Sequence, residues 1–129
     1  RKMMQFSHVN LRVSQLERAV AFYEKQFGLK LCRRLEADGC KMAWLRDAAT
    51  PGFFLELSEG NVVRGNNHIA FITDERDKWY LQHQRERLID REIRELGIYF
   101  MRDMDGNSIE VMPQTAVAAL GGEGAAVSC

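Results

Sequence analysis

The apolar pattern of this chain stops near its middle and starts again. From Ser7 to Val13 the residues alternate, with His8, Asn10 and Arg12 on one side and Val9, Leu11 and Val13 on the other, the period of a half-buried strand. Ser14 is a candidate cap for a helix over Gln15 to Phe27, where Leu16, Val20, Tyr23 and Phe27 recur at helical spacing and Gly28 offers a stop. Strand-like runs follow at Leu29 to Leu35, Met42 to Leu45 and Phe53 to Leu57, parted by the turn signals Asp38-Gly39 and Pro51-Gly52. Beyond a polar connector the pattern restarts at Asn67 to Ile72, and Thr73 or Asp74 can cap a charged helix reaching about Leu88. Strands are expected at Asp90 to Arg94, Ile98 to Arg102 and Ser108 to Met112, the last two joined across Asp105-Gly106. Each half reads β-α-β-β-β. Such a duplication predicts an α+β fold of two βαβββ modules, with first and last strands side by side about a pseudo-two-fold axis.

A chain of 129 residues suits one domain, taken as 4–113, with modules at about 6–58 and 67–112. The first three residues stand outside this reading, since a natural start at Met3 or Met4 fits the pattern. Residues 114–129 are small and glycine-rich and are expected to form a flexible tail. Eighteen basic residues balance eighteen acidic ones, which gives no electrostatic reason to expect nucleic acid or an anionic membrane, so a small molecule is the expected partner. Cys32, Cys40 and Cys129 are odd in number and lack metal-ligand spacing, so reduced thiols and a cytoplasmic location are expected. No apolar run approaches the roughly 18 residues of a membrane span.

Each half carries a histidine in its first strand and a glutamate in its last: His8 with Glu56, His68 with Glu110. A single strand histidine reads as a hydrogen-bonded core residue more readily than as a ligand. Four matching residues at equivalent places of a repeat favour a metal site, because buried charge is costly unless paired or bound to metal. Two imidazoles and two carboxylates suit Zn²⁺, Ni²⁺, Co²⁺, Mn²⁺ or Fe²⁺, and an ion left open to substrate polarises a carbonyl as a Lewis acid. Arg12, on the His8 face, reads either as a contact to an anionic substrate group or as half of a salt bridge at a strand end, and Arg64 poses the same choice from a loop. His83, in the charged second helix, is expected at the surface. Phe53, Phe54, Phe71 and Phe100 read as core or pocket wall.

Five segments carry a family resemblance. They are Ser-His-Val-Asn-Leu-Arg-Val at Ser7 to Val13, Ala-Phe-Tyr-Glu-Lys-Gln-Phe-Gly-Leu at Ala21 to Leu29, Phe-Leu-Glu-Leu at Phe54 to Leu57, Asn-His-Ile-Ala-Phe at Asn67 to Phe71, and Asp-Met-Asp-Gly-Asn-Ser-Ile-Glu-Val at Asp103 to Val111. Together they resemble the vicinal oxygen chelate superfamily, and within it most nearly glyoxalase I (lactoylglutathione lyase). The resemblance implies an open U-shaped barrel with His8, Glu56, His68 and Glu110 as ligands of one divalent ion per site, Ni, Co or Zn, with Fe or Mn also admissible. It also implies a homodimer whose sites combine ligands from both subunits. Arg12 and Arg64 match arginines that hold glutathione in glyoxalase I. Asn61, displaced by Glu59-Gly60 from the place of the glyoxalase asparagine, is the corresponding candidate. The implied reaction converts the methylglyoxal–glutathione hemithioacetal to S-lactoylglutathione, with Glu110 moving the proton and Glu56 ligating or assisting.

The same scaffold hosts fosfomycin-modifying thiol transferases, extradiol dioxygenases and metal-free bleomycin-binding proteins. The first two resemble the His8, His68, Glu110 trio but do not usually ligate through a glutamate at the fourth place. A metal-free binder has little use for two carboxylates in apolar strands.

Overall fold

A computed structural model describes residues 8–37, 39–50, 52–62 and 68–116, and the chain divides into two compact units, Arg1–Arg64 and Gly65–Cys129. In the first unit the order is β1 (His8–Val13), α1 (Leu16–Phe27), β2 (Lys30–Ala37), β3 (Cys40–Arg46) and β4 (Phe54–Glu59). The sheet order is β1-β4-β3-β2, with β1 parallel to β4 and the other pairs antiparallel. First and last strands are therefore neighbours, as the repeat implies.

The alternation of β1 decides which side the helix covers. Leu45, Leu55 and Leu57 lie on one face of the sheet and are buried with Leu16, Ala19, Val20 and Tyr23 of α1. Burying each large apolar side chain contributes about 2 kcal/mol. The cap is not Ser14. The N-cap position is Gln15, which makes no side-chain bond, and the free Leu16 N–H donates instead to Glu59 Oε2 at 2.9 Å. Gly28, at φ 66°, ends the helix and donates to Glu24 O.

The second unit repeats this order with β5 (His68–Thr73), α2 (Arg76–Arg85), β6 (Ile89–Ile93), a 3₁₀ turn (Arg94–Leu96), β7 (Ile98–Arg102) and β8 (Ser108–Pro113). Its sheet order is β5-β8-β7-β6, again with the outer pair β5 and β8 parallel. The β7–β8 connection closes through Asp103, whose carboxylate accepts from the Asp105 and Asn107 backbone N–H groups while Gly106 takes φ 83°.

The second helix departs from the reading at both ends and in its buried residue. It starts at Arg76, after the Glu75 N–H has donated to Thr73 Oγ1, and it stops at Arg85. No glycine marks that stop. Arg87 itself takes the left-handed conformation, φ 58°, as the Leu88 N–H turns back to His83 O. His83 is not at the surface. It is 1% exposed, with Nδ1 2.8 Å from Tyr99 Oη, and Trp79 stacks on its ring. Arg76, Tyr80 and His83 recur at helical spacing, so α2 turns polar and aromatic groups toward its sheet in place of an aliphatic stripe. Gln84, Arg85, Glu86 and Arg87 are exposed.

Ala116, inside the segment read as a tail, is buried against Ile98 and Phe100, while 117–129, with Cys129, lie outside the described residues. Cys32 and Cys40 are free thiols. No helix among the described residues is long and apolar enough to cross a membrane.

Candidate metal centre

Both histidine–glutamate pairs lie on the sheet face opposite the helix, and they do so by the same register. His8 stands opposite Phe54 and Glu56 opposite Asn10; His68 stands opposite Ser108 and Glu110 opposite Ala70. In each unit the glutamate is two residues beyond the histidine's partner on a parallel neighbour. Because side chains alternate across a strand, that offset brings imidazole and carboxylate to the same side. His8 Nε2 is 3.6 Å from Glu56 Oε1, and His68 Nε2 is 3.1 Å from Glu110 Oε1.

These separations suit a shared cation. With metal–nitrogen and metal–oxygen bonds of about 2.1 Å, two ligands of one ion lie about 3 Å apart at a right angle and about 3.4 Å apart at a tetrahedral angle. The carboxylates are largely buried, with 13% and 12% of their side-chain surface exposed, and the imidazoles are more open. Residue chemistry and spacing within each unit therefore fit a divalent ion. Among the described residues no group of three or more His, Cys, Asp or Glu is assembled for one.

The surroundings of the two carboxylates differ. Glu56 Oε1 accepts from Asn10 Nδ2 at 2.9 Å and Oε2 from Trp44 Nε1 at 2.6 Å. Trp44 also packs on the His8 ring, with centroids 4.9 Å apart, and on Phe54. Burial raises the Glu56 pKa, but the Asn10 and Trp44 hydrogen bonds and the neighbouring His8 outweigh it and hold the carboxyl below its ordinary value. At the equivalent places the second unit has Ala70 and Phe100, neither with a side-chain donor. Glu110 has His68 as its polar neighbour among the described residues, and Phe100 meets the His68 ring edge to face.

Arg12 lies on the His8 face, opposite Ser58, and its side chain runs over Gly60 so closely that a Cβ there would sit 2.6 Å from Nη1. Asn61 is exposed just beyond. Arg64 lies outside the described residues. Of the phenylalanines, Phe100 and Phe54 wall the two pairs, whereas Phe53 is 38% exposed. Asn10 and Trp44 carried no signal of their own in the sequence beyond the place of Asn10 on the polar face of β1.

Residues 5–111 match the model of the Glyoxalase/Bleomycin resistance protein/Dioxygenase superfamily. The chain belongs to that superfamily. A Bacillus subtilis (strain 168) protein named "Probable trivalent organoarsenical cleaving enzyme" is 31% identical over 104 residues, covering 79% of this chain and 63% of that protein. The chain thus spans less than two thirds of that relative. Among solved structures, the trypanothione-dependent glyoxalase I of Leishmania major superposes with a TM-score of 0.78 at 22% identity, covering 91% of each chain. A mutant of the fosfomycin resistance protein FosX of Listeria monocytogenes, complexed with Mn(II) and a dihydroxypropylphosphonic acid, gives 0.71 at 20% identity, covering 86% of this chain and 93% of its own. These structural likenesses establish the α+β glyoxalase-like fold of this superfamily member.

Proposed function

We propose that this superfamily member is a metal-dependent lyase of the glyoxalase I kind, which converts the methylglyoxal–glutathione hemithioacetal to S-lactoylglutathione in the cytoplasm. The observation that carries this reading is the repeated pair: imidazole nitrogen and carboxylate oxygen 3.6 and 3.1 Å apart at the same register in both units. His8, Glu56, His68 and Glu110 are the ligands of one divalent ion, Ni²⁺, Co²⁺ or Zn²⁺ before Fe²⁺ or Mn²⁺. A homodimer supplies complete sites, each joining pairs from two chains. When bound, the ion supplies Lewis acidity to oxygen atoms on neighbouring carbons.

The residues divide the remaining work. Asn10 and Trp44 hold Glu56 still and ionised, which suits an anchoring ligand. Glu110, free of such donors, removes the proton from the substrate carbon that bears sulfur and returns it to the adjacent carbon. The hydroxyl proton passes from the first oxygen to the second, so the product is an isomer of the substrate. Arg12, with Asn61 and Arg64, receives a glutathione carboxylate.

A second reading has its own observation. Both Glu56 oxygens already accept hydrogen bonds, which favours a set of His8, His68 and Glu110 with more open positions, the donor type of non-haem iron oxygenases. Thiol transfer to fosfomycin and extradiol ring cleavage belong to this reading.

Turnover of the hemithioacetal, followed at the thioester absorbance on apo protein supplied in turn with Ni²⁺, Co²⁺ and Zn²⁺, tests the first reading. Metal-dependent turnover supports it. Bound metal without turnover, together with oxygen consumption on a catechol under Fe²⁺, replaces it with the second.

A further inference from the structure

The same irregularity occurs in both sheets at the same place. Along β2 and β3 the register runs Leu31 opposite Leu45 and then Arg33 opposite Trp44, so Cys32 and Arg33 face one residue. Along β6 and β7 it runs Ile89 opposite Met101 and then Arg91 opposite Phe100, so Asp90 and Arg91 face one residue. A bulge of this kind adds one residue and changes which side the chain beyond it presents. Without it Arg33 would stand opposite Ala43, on the helix side. Arg34 takes that side instead and pairs with Glu17 of α1.

Each bulge completes a row across its sheet on the face that carries the candidate ligands. The rows are Arg33, Trp44, Glu56, Asn10 and Arg91, Phe100, Glu110, Ala70. Directly paired residues share a face, so both arginines stand beside the aromatic residue that walls the histidine–glutamate pair. Arg91 lies over the Phe100 ring, its Cζ 4.0 Å from the centroid. Neighbouring cations are engaged: Arg34 by Glu17, and Arg102 by Asp90 and Gly106 O. Arg33 and Arg91 are exposed and meet no carboxylate among the described residues.

We infer that Arg91, with Arg33 at the equivalent place of the first unit, holds a terminal oxyanion of an elongated small substrate whose other end meets the candidate ligands on the same sheet face. The inference rests on the ligand reading above. Two strand spacings separate each arginine from its glutamate, about 10 Å, which calls for a substrate of tripeptide length and not a bare three-carbon acid. Carboxylate and phosphonate present the same paired oxygens to a guanidinium.

The test titrates metal-loaded full-length protein with glutathione, with its diethyl ester and with phenylphosphonate, in wild type and in Arg91→Gln, Arg91→Lys and Arg33→Gln. Arg91→Gln weakens glutathione or phenylphosphonate binding about tenfold, a loss of one charge-assisted contact. Arg91→Lys recovers part of it, and the diethyl ester does not discriminate between the proteins. The anion whose binding weakens in Arg91→Gln names the oxyanion. Where the hemithioacetal is turned over, KM rises and kcat holds. Wild-type affinity in both glutamine variants overturns the inference, as does equal weakening of acid and ester, or wild-type protein that binds neither anion. Arginine-dependent anion binding without turnover removes the glyoxalase reading alone.

Discussion

Trp44 touches both candidate ligands of the first unit: its indole N–H donates to Glu56 Oε2 at 2.6 Å while its ring lies on His8. Phe100, opposite Glu110 in the second unit, keeps the ring and has no donor. Two copies of one scaffold thus present one carboxylate held by two further side-chain donors and one whose polar neighbour among the described residues is its histidine.

Converting the first site to the second is therefore informative. The double variant Asn10→Ala, Trp44→Phe gives the first unit the residues of the second. Loss of such orienting hydrogen bonds costs about 10- to 100-fold in metal affinity. Equilibrium dialysis against Co²⁺ or Ni²⁺ measures it, and unchanged affinity removes the orienting role of both side chains.

Glu110→Gln keeps the size of the side chain, replaces one acceptor oxygen by an amide donor and removes its basicity. Turnover should fall by about 100-fold or more while the protein stays folded. Steady-state kinetics at saturating metal checks this, and wild-type kcat excludes Glu110 as the proton carrier.

Gly60→Ala tests the path of Arg12. The added methyl meets the flexible end of Arg12, so the side chain moves and stability changes by less than about 1 kcal/mol. If Arg12 holds substrate, KM rises with kcat little changed, and identical kinetics would sever Arg12 from binding.

At the end of α2, Arg87 holds a left-handed conformation that an L side chain adopts at a cost of about 1 kcal/mol. Arg87→Gly should raise stability by about that amount, read as a higher urea midpoint. A lower midpoint shows that the arginine makes compensating contacts.

Alkali should loosen the second unit. The Glu92 carboxylate accepting from Tyr80 raises that phenol's pKa above 10.0, and burial raises that of Tyr99. A folded-state pKa above the unfolded value gives stability that is complete below pH 10.0 and is lost as pH rises toward the folded values. Tyr99→Phe should cost about 0.5–1.5 kcal/mol at neutral pH by removing one hydrogen bond of buried His83, and should lessen the alkaline fall. A denaturation series from pH 7 to 11 reads both.

The β-α-β-β-β order, the pairing of first with last strands and the four ligand candidates were legible because strand alternation and an internal repeat are properties of residue order. Gly28 marked the end of α1 because glycine alone takes that conformation without cost, and the missing glycine hid the end of α2. Tertiary structure decided the rest. The burial of His83 depends on a tyrosine from β7, and the clamp on Glu56 on a tryptophan two strands from β1. The placing of Arg33 and Arg91 depends on single extra residues that shift register. Residue order along one strand carries the strand's own period. It does not carry which neighbour's side chain meets it, because that is set by register between segments far apart in the chain.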